Sequence, residues 1–327
     1  MIYLSGDDMR AVFDWPSAIE AMREVYRAPA EPGANPGRLV TATPLASMRT
    51  MPAAAPGGRY LGVKHLVKTS SGQVSYTIVL FDKETAQPTF FLDANRITAR
   101  RTAATTTVAL EALIPADYPV RLAVIGSGVE ARNHVEAFAA TRQIKSLTVY
   151  SPRPESREVF ARDFHDRLPS VRAATSAHRA VEGATVVLTA ARSYDETPVL
   201  ARTALDPGML VLSIGSTTPA QRELDVEVLR HADAIIADAV DEVVTQTGDM
   251  IATLKAGFDL SAKTFSLADL VGGRQTARIP PAGQGLTVYK SLGSGLQDVA
   301  MAELLALRCL RDGRGEEVDL RLEIKEV

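Results

Sequence analysis

The chain has 327 residues, of which 46% are hydrophobic and 23% are charged. This length allows two domains of roughly 100 to 200 residues each. The composition excludes disordered, collagen-like and coiled-coil proteins. The formal net charge of −3 lacks the positive excess that is typical of nucleic-acid binders. We therefore expect a globular protein without a nucleic-acid partner.

Cysteine and histidine usage argues against disulfides and metal sites. The single cysteine, Cys309, cannot form an internal disulfide, and the five histidines lack the spacing of metal ligands. Charged residues interrupt the first positions before a signal-like apolar run develops, and no apolar stretch reaches the roughly 18 residues of a membrane span. These features predict a cytoplasmic protein without a metal site or a membrane segment.

The first third of the chain predicts a loop and then a small antiparallel sheet. A segment over residues 28–58 is rich in Pro, Gly and Ala, which indicates a long surface loop. From residue 59 to residue 68 the side chains alternate between two faces, which indicates a strand. Two further strands are predicted at 74–81 and 89–92, and short turns join all three into a meander.

A helix is predicted from Ile97, and Pro115 and Pro119 end it and mark a domain boundary. Beyond this boundary short apolar strands alternate with helices, which predicts a parallel sheet with crossover helices. The predicted strands are 120–125, 146–150, 186–189, 209–214, 234–237 and 287–290, and the helices include 131–140 and 155–168.

The last predicted helix covers residues 296–310, and Ser294 and Gln297 are expected to form its capping box. Its apolar residues indicate that it packs back onto the first domain, which is then discontinuous. We predict one domain of residues 1–116 with 293–327, and a second of residues 117–292. The fold class is α/β, with a Rossmann-type doubly wound parallel sheet and a discontinuous α+β domain.

A glycine-rich loop between a predicted strand and a predicted helix indicates a dinucleotide site. Its first glycine permits the tight turn, and its second lets backbone N–H groups approach a pyrophosphate at the helix N-terminus. A plain glycine-rich turn is the alternative. The expected coenzyme residues are Gly126, Ser127, Gly128, Val129, Glu130 and Ala131, joined by Thr189, Ala190, Ala191, Ile214 and Gly215 after later strands.

The end of the second strand of this domain favours NADP(H) over NAD(H). NAD-binding sites usually place an acidic residue there, on the ribose 2′-hydroxyl. Here Ser151 and Arg153 occupy the strand end, and both can bind a 2′-phosphate. NAD(H) stays open as an alternative, because Arg153 and Arg157 can equally decorate a solvated helix start.

Two cations lie where the pattern predicts buried positions. Arg101 falls on the apolar face of its helix and needs a carboxylate partner, from the protein or from a ligand. Lys64 lies on a strand that is predicted to be central in its sheet. For each residue alone, a salt bridge or a snorkelling side chain is the alternative.

A loop over residues 213–219 leaves the carboxyl end of a parallel strand, which is where open α/β sheets bind ligands. The alternative is that Thr218, Pro219 and Gln221 begin the next helix.

The sequence resembles the ornithine cyclodeaminase/mu-crystallin family over nearly its whole length. Five motifs occur in the family's order, and together they are far more specific than any one alone. They are Lys64, Arg101-Thr102-Ala103-Ala104, Gly126-Ser127-Gly128, Arg222-Glu223-Leu224-Asp225 and Lys290-Ser291-Leu292-Gly293.

The resemblance implies a Rossmann domain and a discontinuous domain that binds substrate and forms a homodimer through its sheet. It implies that Arg38, Lys64 and Arg101 hold a substrate carboxylate, and that Leu292 and Gly293 lie near the nicotinamide and the substrate. Lys64, Arg101 and Thr217 are the expected catalytic residues.

The chain departs from the true cyclodeaminases at Thr217, where those enzymes carry an aspartate that engages the distal amine of the substrate. In this it resembles the ketimine reductase and amino-acid dehydrogenase branch. Glu130 also replaces a glutamine that is common in the family.

These observations lead to a first hypothesis of an NAD(P)-dependent oxidoreductase that acts on the C–N bond of a small α-imino or α-amino acid. The second hypothesis is an ornithine cyclodeaminase, which forms proline and ammonia. The third is a crystallin-like protein that binds NADPH or another ligand without catalysis.

Overall fold

A computed structural model describes residues 1–29, 31–193, 195, 197–274, 278–320 and 322–323. The chain divides into two compact units, which are Met1–Thr105 with Ser294–Val327 (unit 1) and Thr106–Gly293 (unit 2). The first boundary falls inside the helix Ile97–Leu113, upstream of Pro115, and the second falls between Gly293 and Ser294.

Unit 1 is built on a sheet of seven strands, which are β1 (Ile2–Leu4), β2 (Leu39–Ala42), β3 (Ala46–Ala54), β4 (Tyr60–Thr69), β5 (Val74–Asp82), β6 (Pro88–Asp93) and β15 (Glu316–Glu317). They lie in the order β15-β1-β6-β5-β4-β3-β2, and neighbouring strands are antiparallel except β1 and β6. The helices of this unit are α1 (Gly6–Ala11), α2 (Trp15–Arg27) and α11 (Gly295–Arg311). Helix α3 (Ile97–Leu113) begins in unit 1 and ends in unit 2.

The predicted surface loop over residues 28–58 is wrong, because β2 and β3 lie within it. Strand β3 pairs with β4 along its full length, from Ala46 opposite Thr69 to Ala54 opposite Leu61. Alanine and proline are depleted in strands, which is why the sequence pattern concealed this one. Pro52 is tolerated because β2 pairs with β3 only as far as Thr50, so Pro52 needs no donor on that side.

Helix α11 packs on β3, β4 and β5 and against α2. The approach is close, since a Cβ added to Gly62 on β4 would lie 2.6 Å from Val299 Cγ2. The predicted capping box is wrong. Ser294 occupies the N-cap but makes no side-chain cap bond, and Gln297 instead donates from Nε2 to the hydroxyl of Tyr26 at 2.6 Å. Gln297 is therefore buried in the unit rather than used at the helix end.

Unit 2 contains a parallel sheet of eight strands, which are β7 (Val120–Ile125), β8 (Ile144–Tyr150), β9 (Val171–Ala173), β10 (Val186–Thr189), β11 (Leu210–Ser213), β12 (Ala234–Ala237), β13 (Thr264–Ser266) and β14 (Thr287–Lys290). They lie in the order β13-β12-β14-β11-β10-β7-β8-β9. The chain runs outward in one direction from β7 to β9 and then restarts at β10 on the other side of β7, so the topological switch lies between β7 and β10.

The helices of unit 2 after α3 are α4 (Val129–Thr141), α5 (Pro154–His165), α6 (Ala177–Val181), α7 (Val226–His231), α8 (Val240–Gln246), α9 (Gly248–Lys255) and α10 (Leu267–Val271). Strands β10, β11, β12 and β14 are buried along their full length, as expected for parallel strands covered on both faces. The predicted fold class, a Rossmann-type parallel sheet with an α+β domain, is confirmed. In the part of the chain that the structure describes, no helix is both long and apolar enough to cross a bilayer.

Candidate active site

The glycine-rich loop of unit 2 begins where β7 ends. Gly126 has a φ of +115°, and a Cβ there would lie 2.5 Å from the carbonyl oxygen of Ala190. Both facts exclude any residue with a side chain. The N–H of Gly126 donates to the carbonyl of Tyr150 at 2.8 Å, which ties this loop to the end of β8.

Gly128 is the N-cap of α4 and leaves space in front of the helix. A Cβ built at Gly128 would meet nothing within 4 Å, and Val129 is 67% exposed. Ser127 and Glu130 are half-buried, and Ala131 is fully buried. The open helix N-terminus, with its backbone N–H groups and positive dipole end, can accept a pyrophosphate. Glu130 adds a negative charge to this first turn.

The end of β8 carries the residues predicted for the ribose. Ser151 is buried, whereas Arg153 is exposed and forms the N-cap of α5. Arg157 turns back and donates from Nη1 to the carbonyl of Ser151 at 3.0 Å. Arg157 therefore stabilises the turn between β8 and α5, whereas Arg153 is exposed on the surface.

The strand ends after β10 and β11 are held by a carboxylate that the sequence argument did not assign to the site. Glu223 accepts hydrogen bonds from Thr189 Oγ1 at 3.0 Å, from Ser213 Oγ at 2.7 Å, and from the N–H groups of Ala191 and Gly215 at 3.0 and 2.7 Å. Ala190 and Ile214 complete the predicted set, and their N–H groups donate to the carbonyls of Ile125 and Thr189 at 2.8 and 3.1 Å.

Glu223 belongs to a buried ion network, defined here as Arg222, Glu223, Asp249 and Lys290. Asp249 accepts from Arg222 Nε at 3.2 Å and lies 3.0 Å from Lys290 Nζ, which also donates to Ser213 Oγ at 2.8 Å. Burial, and next to it the charge of Asp249, raises the pKa of Glu223 to about 7, against the lowering effect of Lys290. Among the residues that the structure describes, no three or more His, Cys, Asp or Glu side chains are placed to hold a metal ion.

The loop that carries Thr217 is held by Gln221, whose Oε1 accepts from the N–H and the hydroxyl of Thr217 at 2.9 and 3.0 Å. No helix starts at Thr218 as the capping alternative required; the next one, α7, starts at Val226 with Asp225 as its N-cap. That alternative is wrong, because the side chain of Gln221 supports the loop instead of a helix.

The predicted residues after β14 are supported by a carboxylate at the end of β12. Asp238 accepts from the N–H groups of Leu292 and Gly293 at 3.0 and 2.8 Å and from the hydroxyl of Ser291 at 2.7 Å. The backbone donors of this segment are thus used within unit 2, and its shape is fixed by Asp238.

In unit 1 the structure brings Lys64 and Arg101 together on one carboxylate, that of Asp298. Lys64 Nζ pairs with Asp298 Oδ2, and Arg101 Nε donates to Asp298 Oδ1 at 2.9 Å. Arg101 Nη1 also donates to Gln297 Oε1 at 2.8 Å. Lys64 is 2% exposed, Arg101 5% and Asp298 0%, so two cations and an anion lie inside the unit. We call Arg38, Lys64, Arg101 and Asp298 the cation cluster.

The charges around Lys64 are mostly positive. Burial lowers the pKa of Lys64 to about 8, Asp298 opposes this, and Arg101 and Arg38 lower the pKa further. Arg38 is half-buried and also lowers the pKa of Arg49. A site in which several cations act on one another and share one carboxylate is prepared to bind an anion.

Sequence reasoning missed Asp298 and Gln297, although a signal for Asp298 existed. Asp298 shares a helix face with Met301, Ala302 and Leu305, which follow at steps of three, four and seven. A charged residue on an apolar helix face was the argument that singled out Arg101, and it applies equally to Asp298.

Comparisons with known proteins agree with this architecture. The family model described as "Ornithine cyclodeaminase/mu-crystallin family" matches residues 32–312. The chain is 31% identical to the ketimine reductase mu-crystallin of Mus musculus over 229 residues, which are 70% of this chain and 68% of that one. It is 33% identical to an NAD(P)H-dependent anabolic L-arginine dehydrogenase of Pseudomonas aeruginosa over 254 residues, covering 75% and 76% of the two chains.

A solved structure gives the same result. The Δ1-pyrroline-2-carboxylate reductase of Thermococcus litoralis, determined in complex with NADH and L-proline, superimposes with a TM-score of 0.86 at 25% identity. The match covers 97% of this chain and 100% of that one. The predicted resemblance is confirmed, and the chain belongs to the ornithine cyclodeaminase/mu-crystallin family.

Proposed function

We propose that this protein is an NAD(P)-dependent oxidoreductase that reduces the C=N bond of an α-imino acid to the corresponding amino acid. The observation that carries the proposal is the pairing of Lys64 and Arg101 with Asp298 in unit 1. The relatives named above support it, because they include a ketimine reductase, an amino-acid dehydrogenase and a pyrroline-carboxylate reductase.

The cation cluster is the proposed site for the substrate carboxylate. Lys64 and Arg101 both pair with Asp298, which sets two cations against one carboxylate in these contacts and favours an anionic ligand nearby. Asp298 orients both cations, and Gln297 fixes the guanidinium of Arg101 from its other side. Such fixed charges hold the α-carbon of an imino acid in one orientation, which can contribute several kcal/mol to the rate.

The loops of unit 2 fit a dinucleotide. A Cβ at Gly128 would enter open space at the N-terminus of α4, and the proposed ligands of the coenzyme are this helix end, the loops after β10 and β11, and the end of β8. A bound nicotinamide would supply the hydride that reduces the C=N bond.

For the ribose we propose a preference for NADP(H). Arg153 is exposed where a 2′-phosphate would need a cation, and residues 150–154 contain no acid.

Cyclodeamination is disfavoured by the loop of Thr217. Ring closure requires a partner for the distal ammonium of ornithine, and a carboxylate is the side chain suited to that. Thr217 offers only a hydroxyl, which already donates to Gln221. A protein that binds ligands without catalysis is also disfavoured. Once the carboxylate of an iminium is held in place, its reduction needs only a correctly positioned nicotinamide.

A homodimer and a cytoplasmic location also belong to the proposal. Strand β2 is an edge of the unit 1 sheet and exposes Leu39 and Val40 at 69% and 59%, with Leu45 exposed at 77% in the following turn. An exposed apolar edge favours pairing with a second copy. Light scattering should give a multiple of 35.1 kDa, and a monomer at micromolar concentration would contradict the dimer. The single buried cysteine suits a reducing compartment.

One panel of assays tests the activity. Purified protein with NADPH or NADH is given pyrroline-2-carboxylate, piperideine-2-carboxylate, and pyruvate with an amine; separately, NAD is given with ornithine. We expect oxidation of the reduced coenzyme by an imino acid and no ammonia from ornithine. Proline formation from ornithine would restore the cyclodeaminase reading, and coenzyme binding without turnover of any imino acid would favour the binding protein.

A further inference from the structure

Glu223 has no part in the proposed chemistry, yet its side chain reaches two of the proposed coenzyme loops. Its Oε2 accepts from Thr189 Oγ1, the last residue of β10, and from the N–H of Gly215, just beyond β11. Its Oε1 accepts from the N–H of Ala191, just beyond β10. One carboxylate thus connects the ends of two neighbouring strands.

The backbone of Glu223 is itself fixed. Its carbonyl accepts from the N–H groups of Val199 and Leu200 at 2.8 and 2.9 Å, and its N–H donates to Asp249 Oδ1 at 2.9 Å. The residue is completely buried. Because both the backbone and the carboxylate are held, Glu223 can set the position of the loops rather than follow them.

The loops that Glu223 holds lie against one another without space for adjustment. A Cβ on Gly215 would lie 2.3 Å from the carbonyl oxygen of Ala191 and 2.3 Å from Glu223 Oε1. The carbonyl of the preceding residue, Ala190, lies where a Cβ of Gly126 would be. A shift of Ala191 would therefore displace the neighbouring carbonyl of Ala190, which packs against Gly126, the first glycine of the dinucleotide motif. This contact lies at the topological switch between β7 and β10.

We propose that Glu223 is a positioning residue for the coenzyme, which holds the loops after β10 and β11 at the spacing that the dinucleotide requires. The inference rests on the proposed placement of the coenzyme on unit 2. Three charged groups face Glu223 or its partners: Lys290 at 3.9 Å, Asp249 through Lys290, and Arg222 on Asp249. With Glu223 itself the network holds two cations and two carboxylates, so its charges balance, and it serves orientation rather than the capture of a further anion.

The test is Glu223→Gln, which preserves size but replaces one acceptor oxygen with a donor. Whichever way the amide turns, at least one loop loses its hydrogen bond and meets an N–H instead. Loss of a hydrogen bond to a charged group should weaken NADPH and NADH alike, by about 10- to 100-fold in fluorescence titration. KM for the imino acid and kcat at saturating coenzyme should be retained. Glu227→Gln, which changes a half-buried acid on α7 that pairs with Arg230, is the matched control and should leave coenzyme affinity unchanged.

A purely structural role predicts something else, namely lower thermal stability with unchanged coenzyme affinity in the folded fraction, and that result would overturn the inference. Ser213→Ala removes one donor to Glu223 and one acceptor of Lys290 without changing a buried charge, and it is the second variant if Glu223→Gln does not fold. It should weaken both coenzymes to a smaller extent, and unchanged affinity would again overturn the inference. Failure of the wild-type protein to bind either reduced coenzyme would instead remove the proposed function, and the inference with it.

Discussion

Each of the two units buries a lysine beside at least one carboxylate, but the ratio of cations to carboxylates differs between them. In the cation cluster, Lys64 and Arg101 share the single carboxylate of Asp298. In the buried ion network, Lys290 and Arg222 face two carboxylates, Glu223 and Asp249. Lys64 and Lys290 are both almost wholly inaccessible, so exposure alone does not distinguish them.

The comparison shows that a buried charge can serve one of two purposes, to bind a ligand or to hold the fold in place. A charge-balanced network whose oxygens accept from backbone N–H groups fixes loops, and Asp249 accepts from the N–H groups of Glu223 and Leu224 in addition to its cations. Two cations beside one carboxylate favour an anionic ligand, and the pKa of Lys64 is lowered chiefly by burial and further by Arg101 and Arg38. The first arrangement stabilises the fold, and the second is suited to a ligand.

The largest expected effect comes from removing each lysine in turn. Lys290→Met leaves Glu223 and Asp249 with one cation, and breaking a buried pair in this way should lower the free energy of unfolding by about 3 to 5 kcal/mol. Lys64→Met leaves Asp298 paired with Arg101, so stability should change little, while kcat/KM for the imino acid falls roughly 10- to 100-fold. Urea unfolding and steady-state kinetics of the two variants measure this. Equal loss of stability in both would remove the distinction between the two regions.

Much of the fold follows from local sequence patterns. Strands β7, β10 and β12 are short, mostly apolar segments, which is the pattern of buried parallel strands, and their sequences predict all three. The sequence does not predict β3, because its alanines and Pro52 weaken the strand signal, and its structure is determined by pairing with β4. Tertiary pairing outweighed local propensity there.

The site was predictable to the extent that its signals are local. The glycine loop is a contiguous motif, and Arg101 can be recognised in the sequence because it lies on an apolar helix face. Glu223 could not be assigned in the same way, since its partners Thr189 and Ser213 lie 34 and 10 residues away and two further partners are backbone N–H groups. A backbone donor leaves no trace in the sequence.

A carboxylate added to unit 2 outside the buried ion network tests whether an acid there can serve a ligand rather than the fold. Thr217→Asp would place an acid in the loop that Gln221 holds. At an effective dielectric of about 20 and a separation near 4 Å, its attraction for a distal ammonium is on the order of 4 kcal/mol before desolvation. We expect ammonia release from ornithine with NAD to appear in the variant and to be absent from the wild type, as measured by a coupled ammonia assay. Thr218→Asp on the same loop is the control. Ornithine turnover by the wild type would contradict the argument.

A smaller effect is expected at the exposed edge of the coenzyme site, where a charge is solvated rather than buried. Arg153→Ala should weaken NADPH by about 1 to 3 kcal/mol, the range of a charge-assisted hydrogen bond, and should spare NADH. Fluorescence titration of both reduced coenzymes measures the ratio. Arg157→Ala is the informative comparison, since Arg157 supports the carbonyl of Ser151 and should affect both coenzymes alike. Tighter binding of NADH than of NADPH by the wild type would refute the preference.

The smallest effect is a pH dependence that separates binding from stability. The pKa of Lys64 is lowered to about 8, so its ammonium is present below pH 8 and is lost as the pH rises above it. Since kcat/KM reports the free enzyme, it should fall by up to about tenfold per pH unit above pH 8. Stability should move the other way. Between about pH 8 and the ordinary value of 10.5 the unfolded chain binds more protons at this position, so the free energy of unfolding rises with pH. Lys64→Arg keeps its charge throughout this range, and its kcat/KM should lose the alkaline fall even if its absolute value is lower. An identical alkaline fall in Lys64→Arg would assign the titration to the substrate or to another group, and the excess charge of the cation cluster would then have no measurable part in binding the carboxylate.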